Sequence, residues 1–309
     1  MINYKVNRFK EVDIDLTNKC TLKCSMCARQ SFEHPNQIPG GDASIEDLQK
    51  ILDYFDTVYL CGTYGDPIFS PNFIPFLKMC HEQNKQVQVH TAASHKPMRF
   101  YEEAFEANPN AVWYFGLDGL PYQSFAYRVN QDGEYIFDVM LKARDMGVKV
   151  VWQYLVFKYN EDKIDLAKRL AYKHQFDIEI HHTSRHGDKP HLKPTIEKVV
   201  EDTEKKVFVP KCLTEGQRKV PYLAATGQMY PCCWLDHNQT KDPEYSTLQD
   251  ERLNIKHNTV EEIIKSDTWQ TFYDNLFTDK CPSYCKKKCT TSLRNPTRVV
   301  ETWNKMNII

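Results

Sequence analysis

The most constraining feature of this sequence is a regular alternation of strand-like and helix-like segments through its first two-thirds. Short apolar runs typical of buried strands alternate with stretches in which apolar residues recur at helical spacing. Strands that are each joined to the next by one helix form a parallel sheet with the helices packed outside it. The six predicted strands are Glu11–Leu16, Val58–Leu60, Val87–His90, Val112–Phe115, Val148–Phe157 and Ile178–His181.

The helices between these strands carry boundary signals of their own. Ser44 is a suitable N-cap with Asp47 three residues later, and Gly147 stands at a C-terminal cap position. Ligands of parallel α/β sheets bind at the carboxyl ends of the strands, so the chemistry is expected in the residues that follow each strand. Helices are predicted from Ile45 to Phe55 and over Phe73–His81, Arg99–Ala107, Ile136–Met146 and Asp162–His174.

The alternation ends near residue 183. The segment His182–Pro194 is rich in His, Lys and Pro and is predicted to be a linker or a lid. The 309 residues have room for a large domain followed by a smaller one. We place these domains at 1–195 and 196–309.

The second of these regions has its own secondary-structure signals. Apolar residues on both sides of Thr226 and Gly227 predict a small hairpin. Thr259 and Glu262 predict a capping box ahead of a helix that runs to about Asn275. A cysteine-rich tail follows.

The charged residues are balanced, with 40 basic and 41 acidic side chains and a formal net charge of -1. This balance gives no electrostatic reason to expect nucleic acid or an acidic membrane surface as a partner. The run Lys286–Lys288 is typical of a solvated face. No apolar segment has the length of a signal peptide core or a membrane span, so we expect a cytoplasmic protein.

Eleven cysteines in a chain whose thiols are expected to stay reduced need an explanation. Cys20, Cys24 and Cys27 lie within eight residues, directly after the first predicted strand. Thiolates suit zinc or iron–sulfur clusters. Three of them on one loop can hold three irons of a cubane cluster and leave the fourth iron open. A structural zinc site with a fourth ligand from elsewhere, or a loop of reduced cysteines, would also fit this spacing.

The C-x3-C-x2-C spacing after the first strand of a repeated βα domain resembles the radical S-adenosylmethionine (SAM) superfamily. This resemblance implies a partial (β/α)6 TIM-like barrel and a [4Fe–4S] cluster on Cys20, Cys24 and Cys27. It also implies that SAM binds the open iron and is reductively cleaved to a 5′-deoxyadenosyl radical, which abstracts a hydrogen atom from the substrate. Met26 departs from the family pattern, in which an aromatic residue is usual.

Two further segments match the family's cofactor-binding positions. Gly65 and Asp66 lie in a Tyr-Gly-Asp-Pro variant of its Gly-Gly-Glu-Pro motif, after the second strand, and Thr91 follows the third strand. The resemblance implies that all three contribute to SAM binding. Taken alone, the Gly-Asp-Pro segment is a turn signal.

The segment after the fourth strand resembles the family's Ser-x-Asp-Gly, with Gly116 in place of the serine. The resemblance implies that Asp118 accepts hydrogen bonds from cofactor or substrate and that Arg128 lies near the SAM carboxylate. A charge-assisted pair suits that second role. A turn-stabilising Asp and a surface Arg are the alternatives.

A second group of cysteines lies in the last hundred residues and resembles the auxiliary-cluster extensions of radical SAM enzymes called SPASM and Twitch. Six cysteines are one short of the usual seven for two clusters, so the resemblance implies one additional [4Fe–4S] cluster in a small α+β domain. Cys212 and Cys232 are the favoured ligands, together with two of the three tail cysteines. A zinc ribbon is the alternative. The six are Cys212, Cys232, Cys233, Cys281, Cys285 and Cys289.

The remaining chemically active residues have plainer interpretations. Cys61 and Cys80 are expected to pack as small apolar residues. A histidine group follows the sixth strand and is suited either to substrate binding and proton transfer or to the surface of a lid. Its members are His181, His182, His186 and His191.

These features together predict a radical SAM enzyme that carries out a net oxidation or another modification of a small polar molecule. A peptide-modifying maturase is the alternative within the family. A non-enzymatic zinc or redox-sensing module is the alternative outside it. The expected partners are the substrate and a reductase or flavodoxin-type electron donor.

Overall fold

The computed structural model describes most of the chain. The described residues are 9–183, 185–195, 206–208, 210, 212, 220–239, 248–292 and 300–303.

All six predicted strands are present, and they form one parallel sheet in sequence order. Their order and the helices between them are those of a partial TIM-like barrel, which confirms the predicted fold class. The strands are Glu11–Ile14 (β1), Thr57–Leu60 (β2), Gln86–Thr91 (β3), Val112–Gly116 (β4), Lys149–Val156 (β5) and Asp177–His182 (β6).

The five connecting helices also agree with the periodicity. The Ser44 hydroxyl accepts a hydrogen bond from the Asp47 amide and begins the first helix as predicted. The fourth helix begins three residues earlier than predicted, because Asp132 caps it by accepting from the Tyr135 amide. The helices are Ile45–Tyr54 (α1), Phe73–Glu82 (α2), Met98–Ala107 (α3), Gly133–Asp145 (α4) and Ile164–Lys173 (α5).

Strands from the C-terminal region extend this sheet at both edges. The predicted hairpin is present as Tyr222–Leu223 (β8) and Met229–Tyr230 (β9), and β8 lies parallel to β1. Val300–Trp303 (β11) pairs antiparallel with β6 at the other edge. The backbone hydrogen bonds of the barrel sheet therefore continue into the C-terminal region, and the division at residue 195 stays a prediction.

A separate two-stranded antiparallel sheet joins Lys206–Phe208 (β7) to Thr290–Ser292 (β10). The C-terminal helices are Cys233–Gln239 (α6), Val260–Lys265 (α7), Asp267–Asn275 (α8) and Ser283–Cys289 (α9). The predicted capping box of Thr259 and Glu262 is confirmed at the start of α7. The single helix predicted up to Asn275 is wrong: Ser266 has an extended backbone and separates α7 from α8.

The apolar core is continuous from the barrel into the C-terminal helices. Trp113 and Trp152 of the barrel and Trp269 of α8 are fully buried and belong to one cluster of packed side chains. Phe9 packs edge-on against Trp269, with ring centroids 6.2 Å apart. Among the helices that the structure describes, none combines the length and the apolar character needed to span a bilayer.

Candidate active site

The first cysteine group lies on the loop that leaves β1. Cys20, Cys24 and Cys27 are all half-buried. The Cys27 amide donates to the Cys24 carbonyl at 3.1 Å, and the Leu22 amide donates to Cys20 Sγ at 3.4 Å. These bonds give the loop a defined turn conformation around its three thiols.

Backbone hydrogen bonds hold this loop against the segment that precedes α4. The Lys23 amide donates to the Val129 carbonyl at 3.0 Å, and the Ser25 amide donates to the Tyr127 carbonyl at 3.4 Å. The cysteine loop is therefore fixed relative to the carboxyl end of β4.

Arg29 makes a second connection that the sequence did not indicate. Its Nη1 donates to the carbonyl oxygen of Asn18 and, at 2.5 Å, to that of Tyr64. One guanidinium thereby joins the cysteine loop to the loop after β2. Charge-assisted bonds of this kind are stronger than those of neutral donors.

Burial dominates the electrostatics of the thiols. It raises the pKa of Cys20 to about 12, with a further rise from nearby Asp66. Burial also raises the pKa of Cys24 to about 11, although the positive charge of Arg128 opposes that rise. Iron binds the thiolate, so binding a cluster here would release protons from these residues.

The loop after β2 packs directly on the cysteine loop through its glycines. A Cβ atom on Gly65 would lie 1.9 Å from the carbonyl oxygen of Thr17, and one on Gly62 would lie 1.7 Å from that of Gly65. Both positions therefore require glycine. The Asp66 amide then donates to the Lys19 carbonyl at 2.8 Å, which joins the two loops.

The carboxylate of Asp66 is buried and fully engaged by the end of β3. Thr91 Oγ1 donates to it at 2.8 Å, and the amides of Ala92 and Ala93 donate at 3.0 and 3.2 Å. Burial raises the pKa of Asp66, and these hydrogen bonds oppose the rise. Two residues predicted to bind SAM thus bond to each other and order the backbone after β2 and β3.

The other two predicted SAM-binding side chains form an ion pair. Arg128 Nε lies 2.8 Å from Asp118 Oδ2, and the amide of Leu155 donates to Asp118 Oδ1 at 2.9 Å. A Cβ atom on Gly116 would lie 2.6 Å from Nη2 of Arg128. The guanidinium fills the space of a side chain at position 116, which explains the glycine there.

A chain of hydrogen-bonded polar side chains crosses the inner face of β3, β5 and β6. His90 Nδ1 lies 3.3 Å from Gln153 Oε1, whose Nε2 donates to Glu179 Oε2 at 3.3 Å. His181 Nε2 lies 2.9 Å from the same oxygen of Glu179. The Tyr114 ring stacks on His90 with the centroids 4.4 Å apart. We call His90, Gln153, Glu179 and His181 the polar chain.

The other predicted histidines are not part of the polar chain. His182 ends β6 and is half-buried, as is His186, whereas His191 is exposed. The segment that carries the last two packs on the barrel, because the Leu192 carbonyl accepts from the Lys158 amide at 3.1 Å.

A buried acidic pair lies where β1 meets the hairpin. The carboxylate of Asp15 accepts from the amides of Thr63 and Tyr64 at 2.9 and 3.3 Å. Burial raises the pKa of Asp15 to about 8 and that of Asp236 to about 6. Tyr222 Oη donates to Asp236 Oδ2 at 3.2 Å.

The C-terminal cysteines come from three separate stretches of the chain and influence one another electrostatically. Burial raises the pKa of Cys285, and the nearby thiols of Cys212, Cys289 and Cys281 raise it further. The pKa of Cys232 is raised in the same way, by burial and then by Cys233, Cys212 and Cys285. Electrostatic interactions thus link the six, although among the described residues no three or more Cys, His, Asp or Glu side chains are arranged to hold a metal ion.

This geometry agrees with a comparison against protein-family models, in which residues 14–171 match the radical SAM superfamily. The match covers just over half of the chain. The chain belongs to the radical SAM superfamily. It is therefore an enzyme of a family that uses a [4Fe–4S] cluster and SAM.

Solved radical SAM proteins share the fold at low sequence identity. Streptococcus suis SuiB is 14% identical, with 88% of this chain and 69% of that one covered and a TM-score of 0.61. SuiB bound to its precursor peptide SuiA is 12% identical, with 88% and 68% covered and a TM-score of 0.65. Native anSMEcpe with bound AdoMet is 12% identical, with 87% and 84% covered and a TM-score of 0.56. No curated protein sequence matches the chain significantly.

The residues of this radical SAM protein fit the cluster that its family uses. Cys20, Cys24 and Cys27 are soft ligands on one ordered loop, and hydrogen bonds hold that loop to the carboxyl ends of two other strands. Cationic Arg128 lies close enough to Cys24 to oppose the rise in its pKa, which favours a thiolate there.

Several site residues were not identified from the sequence. The alternation of side chains between the two faces of a strand could have identified some of them. Ile178 and Ile180 pack in the core beneath the helices, so Glu179 between them faces inward, on the same side as the already predicted His181. The same alternation places Asp15 on the inner side of β1. No such periodic signal exists for Arg29, because it lies in a single short 3-10 turn, Ala28–Ser31.

Proposed function

We propose that Cys20, Cys24 and Cys27 ligate a [4Fe–4S] cluster on which SAM binds. The observation that carries this assignment is the connection of the cysteine loop to the loops after β2 and β4 through Arg29 and the backbone. When bound, the cluster supplies the electron that cleaves SAM to a 5′-deoxyadenosyl radical, which abstracts a hydrogen atom from the substrate.

The surrounding residues would orient SAM. Gly65 permits close approach of the backbone, and the bond from Thr91 to Asp66 fixes the two strand ends that line the site. Arg128 presents Nε and Nη2 to Asp118, and its positive charge near Cys24 suits the SAM carboxylate. The Asp118 carboxylate in turn keeps that guanidinium in place.

We further propose that the substrate is a small polar molecule that undergoes net oxidation at the polar chain. Barrel interiors are commonly filled by branched apolar side chains, whereas the inner face of β3, β5 and β6 carries two histidines, an amide and a carboxylate. Such groups can orient hydroxyl or amino groups of a substrate and accept the proton that leaves during oxidation.

A peptide substrate is the second candidate. It is favoured by the structural neighbours, because SuiB has been solved with its precursor peptide SuiA and anSMEcpe with the Cp18Cys peptide. A carboxylate and histidines on the inner face would also suit a polar side chain of a peptide.

We assign a second [4Fe–4S] cluster to the C-terminal cysteines in a Twitch- or SPASM-like arrangement. Cys212 and Cys232 are the favoured ligands, with two of Cys281, Cys285 and Cys289. Their mutual proximity supports this assignment. A cluster there would pass one electron as the substrate radical resolves, and a cytoplasmic reductase or flavodoxin-type protein would reduce the first cluster.

The decisive experiment measures iron in anaerobically reconstituted protein. We expect about eight irons per chain, four for each cluster. Replacing Cys20, Cys24 and Cys27 together by Ala should remove about half of the iron. Cys80→Ala is the matched control, since Cys80 is a buried core residue of α2 and should not affect iron content. Zinc as the sole bound metal would overturn the proposal.

A second measurement separates the roles of the two clusters. The Cys212→Ala/Cys232→Ala variant should still form 5′-deoxyadenosine from SAM and dithionite, but it should not complete turnover. Product is sought as a mass shift in an anaerobic pool of polar metabolites and, separately, in a pool of peptides. A folded variant with the parent's ratio of product to 5′-deoxyadenosine would exclude a redox role for the second cluster.

A further inference from the structure

Tyr273 of α8 carries a buried hydroxyl that makes no hydrogen bond to any described residue. The side chain is 5% exposed, and its hydroxyl has no hydrogen-bond partner among the residues that the structure describes. Buried hydroxyls nearly always have a partner, because an unsatisfied donor loses its bond to water without compensation. The exception therefore needs an explanation.

Aromatic packing holds the Tyr273 ring in place. Its centroid lies 6.4 Å from that of Phe9, 6.1 Å from that of Trp269 and 5.2 Å from that of Phe272. A ring restrained on several sides cannot swing its hydroxyl out to solvent without disturbing the core. The hydroxyl therefore stays where it is, inside the C-terminal region.

Three of the C-terminal thiols are close enough to interact electrostatically with this hydroxyl: those of Cys212, Cys232 and Cys285. Tyr273 and these cysteines belong to the core that runs from the barrel into the C-terminal region. Burial raises the pKa of Tyr273 well above its usual range, and these three cysteines raise it further. The phenol O–H is therefore an unused hydrogen-bond donor in the neighbourhood of sulfur atoms.

We propose that the Tyr273 hydroxyl donates a hydrogen bond to a sulfur atom of the second cluster. This inference rests on the proposed cluster at the C-terminal cysteines. A donor to sulfur stabilises the reduced cluster more than the oxidised one, because the reduced cluster carries one more negative charge. Tyr273 is therefore a positioning residue that raises the reduction potential of this cluster, and its proton stays on the phenol in both states.

The test uses the full chain with Cys20, Cys24 and Cys27 changed to Ala, so that signals from the second cluster are seen alone. A redox titration followed by electron paramagnetic resonance gives its midpoint potential. Tyr273→Phe should lower the ratio of reduced to oxidised cluster about tenfold at a fixed potential, a shift of about 59 mV to more negative values for one electron. Tyr154→Phe is the matched control, since its buried hydroxyl donates to the Asn160 carbonyl at 2.6 Å.

A spectroscopic signature makes the test independent of potential. Electron–nuclear double resonance should detect an exchangeable proton coupled to the reduced cluster, and Tyr273→Phe should remove it. Metal-free Tyr273→Phe should be at least as stable as its parent, because no hydrogen bond to a described residue is lost. An unchanged potential together with an unchanged proton signal would overturn the inference. Absence of iron from the triple-Ala parent would instead overturn the proposed second cluster.

Discussion

At the scale of single residues, Asp66 acts through the groups that it holds. Its carboxylate accepts hydrogen bonds from the Thr91 hydroxyl and from two backbone amides at the end of β3, among the residues predicted to bind SAM. A change at either partner should therefore alter the shape of that site while the thiols remain free to bind iron.

The Thr91 hydroxyl offers a matched pair of variants. Thr91→Val keeps the side-chain volume but removes one of the donors to the buried Asp66 carboxylate, at a cost of about 1–3 kcal/mol. We expect weaker SAM binding with the full iron content retained. Thr91→Ser keeps the donor and should bind SAM nearly as the parent does. Equilibrium binding of SAM with parallel iron analysis checks both, and equal affinities of the Val variant and the parent would show that this bond does not shape the site.

Gly116 and Arg128 form a second pair that should respond together. Gly116→Ala places a Cβ against a guanidinium that Asp118 holds, and such overpacking costs about 1–3 kcal/mol. In an Arg128→Ala background most of that cost should disappear, because the obstructing group is gone. Denaturant unfolding of the four metal-free proteins gives the coupling energy. Additive effects of the two changes would contradict the steric explanation.

Motif and position predicted which residues form the site, and that choice stays a prediction. They did not predict which side chains these residues contact in the fold. Asp66 and Thr91 were each expected to touch the cofactor, yet they bond to each other, because the register of β2 and β3 brings their ends together. Local sequence does not encode a contact between residues 25 positions apart. The requirement for glycine at position 116 likewise depends on Arg128, whose guanidinium contacts that position only in the folded chain.

At the scale of elements, the α7–α8 corner shows how caps set helix boundaries. Thr259 and Glu262 cap α7 reciprocally, and the Ser266 hydroxyl accepts from the Trp269 amide to begin α8. The apolar periodicity runs through both helices, so a pattern of spacing alone predicted one helix. The break comes from a side chain–backbone hydrogen bond, which competes locally with helical bonding.

Removal of the Thr259 cap should destabilise the protein measurably. We expect Thr259→Ala to cost about 1 kcal/mol, because the Glu262 amide at the start of α7 loses its side-chain acceptor. Glu261→Ala is the control from the same turn, since it removes only an exposed ion pair with Lys265 and should change stability little. Thermal unfolding of the metal-free proteins measures the stability of both variants. Equal losses of stability would show that the Thr259 cap does not stabilise α7.

Element types were largely predictable and their ends were not. The six barrel strands and their helices follow from periodicities that tertiary packing reinforces. Helix α9 was not predicted, because its run of cysteines and lysines has no apolar period. Strand β11 was not predicted either, since its pairing with β6 depends on a partner more than a hundred residues away.

At the scale of the whole molecule, buried polar residues of the barrel and of the C-terminal region meet around Asp15. We call this set, Asp15, Tyr222 and Asp236, the polar seam. Asp15 of the loop after β1 is enclosed by the β2 loop and by Tyr222 and Asp236 of the C-terminal region. Burial raises the pKa of its carboxyl group from 3.8 to about 8, which favours the protonated form in the folded chain.

This seam predicts a pH dependence of stability. A raised folded-state pKa means that the folded chain binds a proton that the unfolded chain releases, so stability falls as the pH rises from about 4 to about 8. Asp15→Asn cannot lose that proton. Its melting temperature relative to the parent should therefore be higher at pH 8.5 than at pH 5. A difference that does not vary with pH would show that Asp15 is not enclosed as described.

The edge of the sheet at β1 also has a consequence for biosynthesis. Its partner β8 lies about two hundred residues later in the chain. At roughly 5–20 residues per second, that edge emerges from the ribosome about 10–40 seconds before its partner exists. During this interval the cysteine loop beside β1 is attached to an unfinished sheet. Iron delivered to the nascent chain would meet a cysteine loop on a sheet that still lacks β8. Loading of the first cluster should therefore follow release of the polypeptide.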